Sequence, residues 1–520
     1  MPALIAFLLL VLAATPFGLA EDALAQDHAK LGISLAKAGN LGDAERELRQ
    51  AVQLAPSVAS FRAQLGSILG LQGKWTEALR NFQSAVNLAP ENLDFRRETA
   101  AVQWQLGLMP EAEKNVRYVL DKHPGDPGAS LLLGLVKEKT GDYRAAAELL
   151  DAQFDLATAQ PDRAIALFHS ALESHQGEKI ARVIDALSRR SQDPQWANAI
   201  ARCTEIAAKS GDLETSQSLF VLIPENDARR PAAGILLAKL LYAHNLSTQA
   251  KDLLLQLVQQ GVVSADLQTL LGNCYEAEHQ PRLALEAYFH AIEADPSRVE
   301  SYEDPVSFLL ESGKSADAFK LIDKALAVAP DDPKPWIWKG NASLRTHAYA
   351  NAIQSYMHAG SLDSSNADAV LGVAAVYFAS GQNDAAIVEY KRGITKFPKD
   401  ARFYVGCATM LLGSPDSPNL QEEAQNLLKK AVQLDPQSTE AHYQYGQLAM
   451  QQNRLKDAES ELLLSIKESP NRSKTHFALS VVYRRMGRTD DAGTQFAIYQ
   501  DLKRAEGNGT TTAMVPPENP

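Results

Sequence analysis

The densest set of metal- and proton-handling side chains is the stretch HSALESH, with His169, Glu173 and His175. A zinc site needs three or four converging ligands. On a helix His169 and Glu173, four apart, share a face, and His175 is turned away. Two ligands do not make a site, and no HExxH occurs, so the cluster reads as a solvated helix face and no metal is expected. Phosphate binding needs a glycine-rich loop closing on Gly-Lys-Ser. Gly313, Lys314 and Ser315 supply that ending, but Phe308 stands where the leading glycine belongs and no strand precedes it. Nucleophilic catalysis has no GxSxG elbow to rest on, and the dinucleotide glycine fingerprint is missing as well. Cys203, Cys274 and Cys407 are isolated, without CxxC or zinc spacing. Cys274 and Cys407 fall in helical stretches and read as small buried apolar side chains. His244, His279 and His442 are scattered. Catalysis needs several groups at one pocket. No such set is nominated, so the chain reads as non-enzymatic and without cofactor; an enzyme site within residues 161–264 is the alternative.

Bulk properties narrow the classes further. The 520 residues exceed one ordinary core and call for several domains or a repeat array. Lys and Arg total 51 against 63 Asp and Glu, a net charge of −12. That acid balance argues against nucleic acid, whose phosphates need a basic footprint. At the N-terminus residues 3–14 (ALIAFLLLVLAA) are apolar throughout. A breaker and small residues follow, as in an exported leader cleaved after Ala20, or alternatively after Ala25. An uncleaved inner-membrane anchor over residues 3–20 is the rival, although the run is short for a span of about 20 residues.

The elements that would position any site are written in a repeat. Residues 31–56 (LGISLAKAGNLGDAERELRQAVQLAP) are echoed 34 residues later, ending at Pro90. Pro124 keeps the interval, as do Pro296 with Pro330 and Pro436 with Pro470. In the same register stand small residues (Ala44, Ala78, Ala112, Ala284, Ala318, Ala386, Ala424, Ala458) and bulky ones (Leu48, Phe82, Val116, Tyr288, Ile322, Tyr390, Leu428, Leu462). Gly39, Gly73, Gly107, Gly313 and Gly381 recur between them. Glycine suits a left-handed helix end, alanine a close helix contact, and proline a helix stop. A helix pair of this kind hides its apolar face only by stacking on copies of itself.

This register resembles the tetratricopeptide repeat family. Trp336, Gly340, Ala352, Tyr356 and Ala359 carry its pattern, with Ser364 in place of the proline, and Tyr483, Gly487, Ala492 and Phe496 carry it again. The resemblance implies an all-α, right-handed superhelical solenoid of antiparallel helix pairs. About fourteen repeats are expected. They fall as residues 25–160 (repeats 1–4), a divergent middle at 161–264 (repeats 5–7) and 265–506 (repeats 8–14). A polar insertion, GSPDSPN, starts at Gly413, and residues 507–520 read as a disordered tail.

The resemblance also implies a concave face made by the first helices, at positions 2, 5, 9 and 12 of each repeat. In the C-terminal half these are Ile337, Asn341, Leu344, Leu371, Phe378, Val405 and Leu412, continued by Tyr443, Gln447, Met450 and Phe477. Trp104, Leu131 and Leu135 form a smaller patch upstream. An apolar row with polar punctuation suits a peptide or protein partner. The carboxylate clamp of chaperone-tail binders is absent as a set: Asn341 matches, but Ile337, Gly372 and Gly406 do not. The expected function is an exported protein-binding scaffold or assembly factor, periplasmic or secreted, in envelope or export machinery. The alternative is carbohydrate handling, an envelope polysaccharide stacking on Trp104, Tyr443 and Phe477.

Overall fold

The computed structural model describes residues 20–413 and 418–509. The leader, most of the GSPDSPN insertion and the tail from residue 510 lie outside the described residues. Among those described, every regular element is helical. They form fourteen antiparallel pairs, from Ala20–Lys37 with Leu41–Leu54 to Ser473–Arg485 with Thr489–Gly509. A short helix, Phe154–Ala157, follows the fourth pair, and a 3-10 turn, Val299–Tyr302, opens the ninth. Within each unit helices touch their pair partner and the next pair, the contact pattern of a solenoid. The chain divides into two compact units, residues 1–262 and 263–520, each holding seven pairs. The middle pairs belong to the first: Pro161–Glu173 with Gly177–Ser188, Pro194–Ser210 with Leu213–Phe220, and Arg230–Ala243 with Ser247–Gln259.

Outside the insertion-bearing twelfth pair, one turn conformation joins the two helices of every pair. Gly39, Gly73, Gly107, Gly141, Gly211, Gly313, Gly381 and Gly487 hold it with φ of 72° to 84°. At the equivalent place in other pairs His175, Asn245, His279, His347 and Asn453 take φ of 56° to 61°. Asn and His tolerate this left-handed region better than most side chains. Two of the histidines that looked available for chemistry, His175 and His279, are therefore turn residues.

The second helices that run up to a proline end on a residue outside the helical region. Ala55, Ala89, His123, Asp295, Ala329, Phe397 and Ser469 have φ between −146° and −125°. Each precedes a proline, whose ring disfavours helix in the residue before it. Where Ser364 replaces the proline, Asp363 reaches the same conformation another way. Its Oδ1 accepts from the Ser365 amide (2.8 Å) and hydroxyl (2.6 Å), and the Ser365 bonds hold its carboxyl below the usual range. The last helix meets no proline before Pro516 and runs to Gly509, three residues into the expected tail.

The junction between repeats carries a bond that the sequence pattern does not announce. The fourth residue of the next first helix donates to the carbonyl of the proline six residues back. The donor is Arg62 (3.1 Å), Arg96 (3.0 Å), Tyr302 (3.0 Å), Trp336 (3.1 Å), Tyr404 (3.0 Å), His442 (2.9 Å) or His476 (2.7 Å). What repeats here is an N–H or O–H of the right reach, not a residue type. Side-chain N-caps lock the same junctions: Asn92, Asp126, Asn366 and Ser438 each accept from the amide three residues on.

Inside each pair the register alanines are fully buried. In several pairs the bulky residue presses on a glycine of the first helix, as Leu48 does on Gly32, Phe82 on Gly66 and Leu462 on Gly446. The Tyr356 ring is gripped by two glycines: a Cβ on Gly340 would fall 2.6 Å from it, and one on Gly372 2.4 Å. Its hydroxyl donates to Asn341 Oδ1 at 2.6 Å. Tyr288 repeats the device with Asn273 (2.6 Å) and Glu276 (2.9 Å). Packing in the core thus reaches through to orient polar residues of the first helices.

Candidate functional site: an apolar groove in the N-terminal unit

A groove of about 660 Å³ runs along the first helices of the N-terminal unit. Gly70 to Gly73 and Trp75 form one end. Ala101, Trp104, Leu131, Leu132, Leu135 and Ile165 make the floor, and Leu131 and Leu135 are nearly buried beneath it. The half-buried Trp104 indole donates to the Leu135 carbonyl at 3.4 Å, which fixes its ring across the floor. Gln105, Glu138, Lys139, Asp162, Arg163, Asn198 and Arg202 supply the polar rim. The volume lies in the range of ligand pockets, and the lining combines an apolar floor with a few placed polar groups.

The rim charges are largely engaged. Glu138 meets His169 Nδ1 at 3.0 Å and Lys139 at 3.3 Å. Burial pushes its carboxyl up, but these partners outweigh burial and hold it below the usual range. His169 also packs on Tyr143, ring centroids 5.0 Å apart. It is thus a partner of Glu138 across repeats. Burial lowers the Arg163 guanidinium, and Arg202 pairs with Glu205 at 3.1 Å. Among the described residues no three His, Cys, Asp or Glu side chains are placed to hold a metal, and the three cysteines are buried.

The patch read from Trp104, Leu131 and Leu135 is therefore the centre of a larger groove. Sequence reasoning missed its continuation through Asp162, Ile165, Asn198 and Arg202. The signal was present: Pro161 and Pro194 open first helices as Pro127 and Pro333 do. Counting from them puts Ile165 and Asn198 at position 5 and Arg202 at position 9.

The C-terminal row is more mixed. Phe378 and Phe477 are exposed, at 42% and 45%. Phe477 already clusters with Phe496 and Tyr499, centroids 6.5 and 5.1 Å away. Asn341 is exposed, and because its Oδ1 accepts from Tyr356, its amide N–H groups are the ones left to the surface. Ile337 and Leu344 are half-buried against the Tyr356 cluster, and Leu371 and Leu412 are half-buried too. Tyr443 accepts from Gln447 at 2.8 Å and lies under Arg472 and Lys474, while Met450 is half-buried beside it. Val405 is a correction. It is 7% exposed, packed with Ala401, Tyr404, Ala431 and Ala441, because tight stacking of neighbouring first helices closes over it.

Among the described residues no helix is long and apolar enough to cross a membrane. Tetratricopeptide repeat profiles match residues 29–79, 63–127 and 102–155 of the first unit and 422–474 of the second. Protein CTR9 homolog of Arabidopsis thaliana is 28% identical over 139 residues, 26% of this chain and 12% of that protein. TPR repeat-containing protein YpiA of Bacillus subtilis is 27% identical over 233 residues, 44% of this chain and 54% of that one. The chain thus spans about half or less of the curated relatives it matches. The crystal structure of yeast Tom70 aligns over 94% of both chains with a TM-score of 0.45 and 15% identity. The 34-residue register, the stacked helix pairs and the profile matches in both units agree: the chain is a tetratricopeptide-repeat protein.

Proposed function

We propose that this protein is a non-enzymatic interaction scaffold whose partner protein docks in the groove of the N-terminal unit. The observation that carries this reading is the continuous apolar floor from Trp104 to Ile165, set on three successive repeats in a groove that spans five and is rimmed by polar groups. A fixed aromatic ring over a buried aliphatic floor is the setting in which one side chain contributes most to binding. The exposed part of the C-terminal row, Asn341, Phe378 and Phe477, is a second contact region of the same kind. The apolar leader supports an exported protein, periplasmic or secreted, acting in envelope or export machinery. Burial of Ala25 within the first helix supports cleavage after Ala20 over cleavage after Ala25.

A photo-crosslinking residue at Gln105, exposed at the groove, tests the reading in extracts of the native organism. Gln83, exposed on a second helix outside the groove, is the control. A discrete protein captured at Gln105 and absent at Gln83 is the expected result. Capture of a glycan alone at Gln105 would replace the protein partner by the carbohydrate one, for which Trp75 and Trp104 offer stacking surfaces.

A further inference from the structure

The inter-repeat bond at the fourth position is made by groups that do not titrate near neutrality in five junctions and by histidine in two. His442 differs from all the others. It is 3% exposed in its side chain; Nε2 lies 2.9 Å from the Pro436 carbonyl, and Nδ1 lies 2.7 Å from Glu461 Oε2. A carbonyl only accepts, and so does an ionised carboxylate. A ring between two acceptors satisfies both only when both nitrogens carry protons. We infer that His442 is a proton-operated latch, closing the junction between the twelfth and thirteenth repeats in its imidazolium form and loosening it when the ring is neutral.

The neighbouring repeats supply internal comparisons. His476 makes the same carbonyl bond, to Pro470 at 2.7 Å, but its second partner is the neutral Gln495 amide at 2.7 Å. An amide can turn to offer either a donor or an acceptor. His28 has the carboxylate, Glu47 at 2.6 Å, but lies within the first helix, with no preceding proline at the junction position. Among the described residues only His442 is seen between both acceptors, and at all three sites the second partner lies 19 residues on.

The charged surroundings favour the cation. Glu461 and Glu468 act on the ring from helix Leu455–Glu468. On the preceding helix Lys429 and Lys430 are exposed, and so is Asp435 in the turn. From the following repeat Arg472 and Lys474 are drawn to Glu440. The Glu461 bond, then the Pro436 carbonyl, hold the imidazole above its ordinary value of 6.5 against burial. The sign follows. A histidine raised on folding adds stability that is complete below its unfolded value and is lost as pH rises through the folded one. The latch is shut in mildly acidic surroundings and opens toward alkaline ones.

The test is a pH titration of the full chain between about pH 5 and about pH 9. It reads the His442 ring by histidine-selective NMR and the junction amides by hydrogen exchange corrected for intrinsic rates. Protection of helix Thr439–Gln451 is expected to fall as His442 deprotonates, tenfold for each pKa unit by which folding raises the ring. Glu461→Gln, which reproduces the His476–Gln495 arrangement, is expected to abolish that fall. His442→Tyr keeps the carbonyl bond as Tyr404 does and is expected to abolish it too. Protection independent of pH in the wild type would overturn the latch. So would a pH-dependent fall of the same size in Glu461→Gln, which stands even if His442→Tyr does not fold.

Discussion

Gly372→Ala puts the packing account under the most direct strain. A Cβ there would lie 2.4, 2.5 and 2.6 Å from three atoms of the Tyr356 ring, against an ordinary contact of 3.4 Å or more. The ring must move by about 1 Å to make room. It cannot move freely, because Gly340 grips its edge, its hydroxyl is bonded to Asn341, and it is 2% exposed. Overpacking of this kind costs about 1–3 kcal/mol, offset by about 1 kcal/mol of helix propensity that alanine brings. Three contacts well under 3.0 Å put this site in the upper part of that range, so the net expectation is a loss of about 1–2 kcal/mol, with Asn341 shifted as the ring moves. Gly360→Ala is the control. Its Cβ would meet only Ala369, at 3.4 Å, within the interior of helix Tyr349–Leu362. Propensity alone should act there and raise stability by about 0.5–1 kcal/mol. Urea unfolding followed by circular dichroism reads both variants. If Gly372→Ala is as stable as the wild type, the glycine–tyrosine contact is not what sets the spacing of these helices.

Other consequences are equally open to measurement. Tyr404→Phe deletes only the hydroxyl that bonds the Pro398 carbonyl and should cost about 1 kcal/mol in urea unfolding, whereas Tyr404→His, a donor used elsewhere, should recover part of it. Asp126→Ala removes both the cap on helix Pro127–Lys139 and the 2.8 Å partner of Arg97, with an expected loss of about 2–3 kcal/mol in the same assay. Glu98 is 1% exposed with Oε1 unpartnered, and burial pushes its carboxyl up to about 8. A carboxyl raised on folding destabilises as the unfolded chain ionises, so stability should fall from about pH 4.5 to about pH 8 and then level off. Glu98→Gln should flatten that fall and raise the melting temperature at pH 8.

Much of this architecture was legible because its causes are local. Proline stops, glycine turns and buried alanines each act within one helix pair, so a 34-residue interval carries them into the sequence. Signals that change residue type while keeping their chemistry were not legible. The junction donor is Arg, Tyr, Trp or His, so no letter repeats although the bond does. The left-handed turn accepts His and Asn as well as Gly, which made His175 and His279 look like loose functional groups. Position counting placed Val405 on the concave face, but how closely neighbouring first helices stack decides whether such a side chain is open, and that depends on every residue at the contact. The groove in the N-terminal unit was seen only at its centre, because divergence in the middle repeats hid the register that Pro161 and Pro194 still mark.

The central claim is that a partner docks on the floor set by Trp104. The measurement that tests it most directly is the affinity of the protein captured at Gln105 for wild type and for Trp104→Ala, by isothermal titration calorimetry. The variant is first confirmed as folded by circular dichroism. The account predicts a loss of about 2 kcal/mol, close to thirtyfold in Kd. An unchanged Kd in a folded Trp104→Ala protein would contradict it.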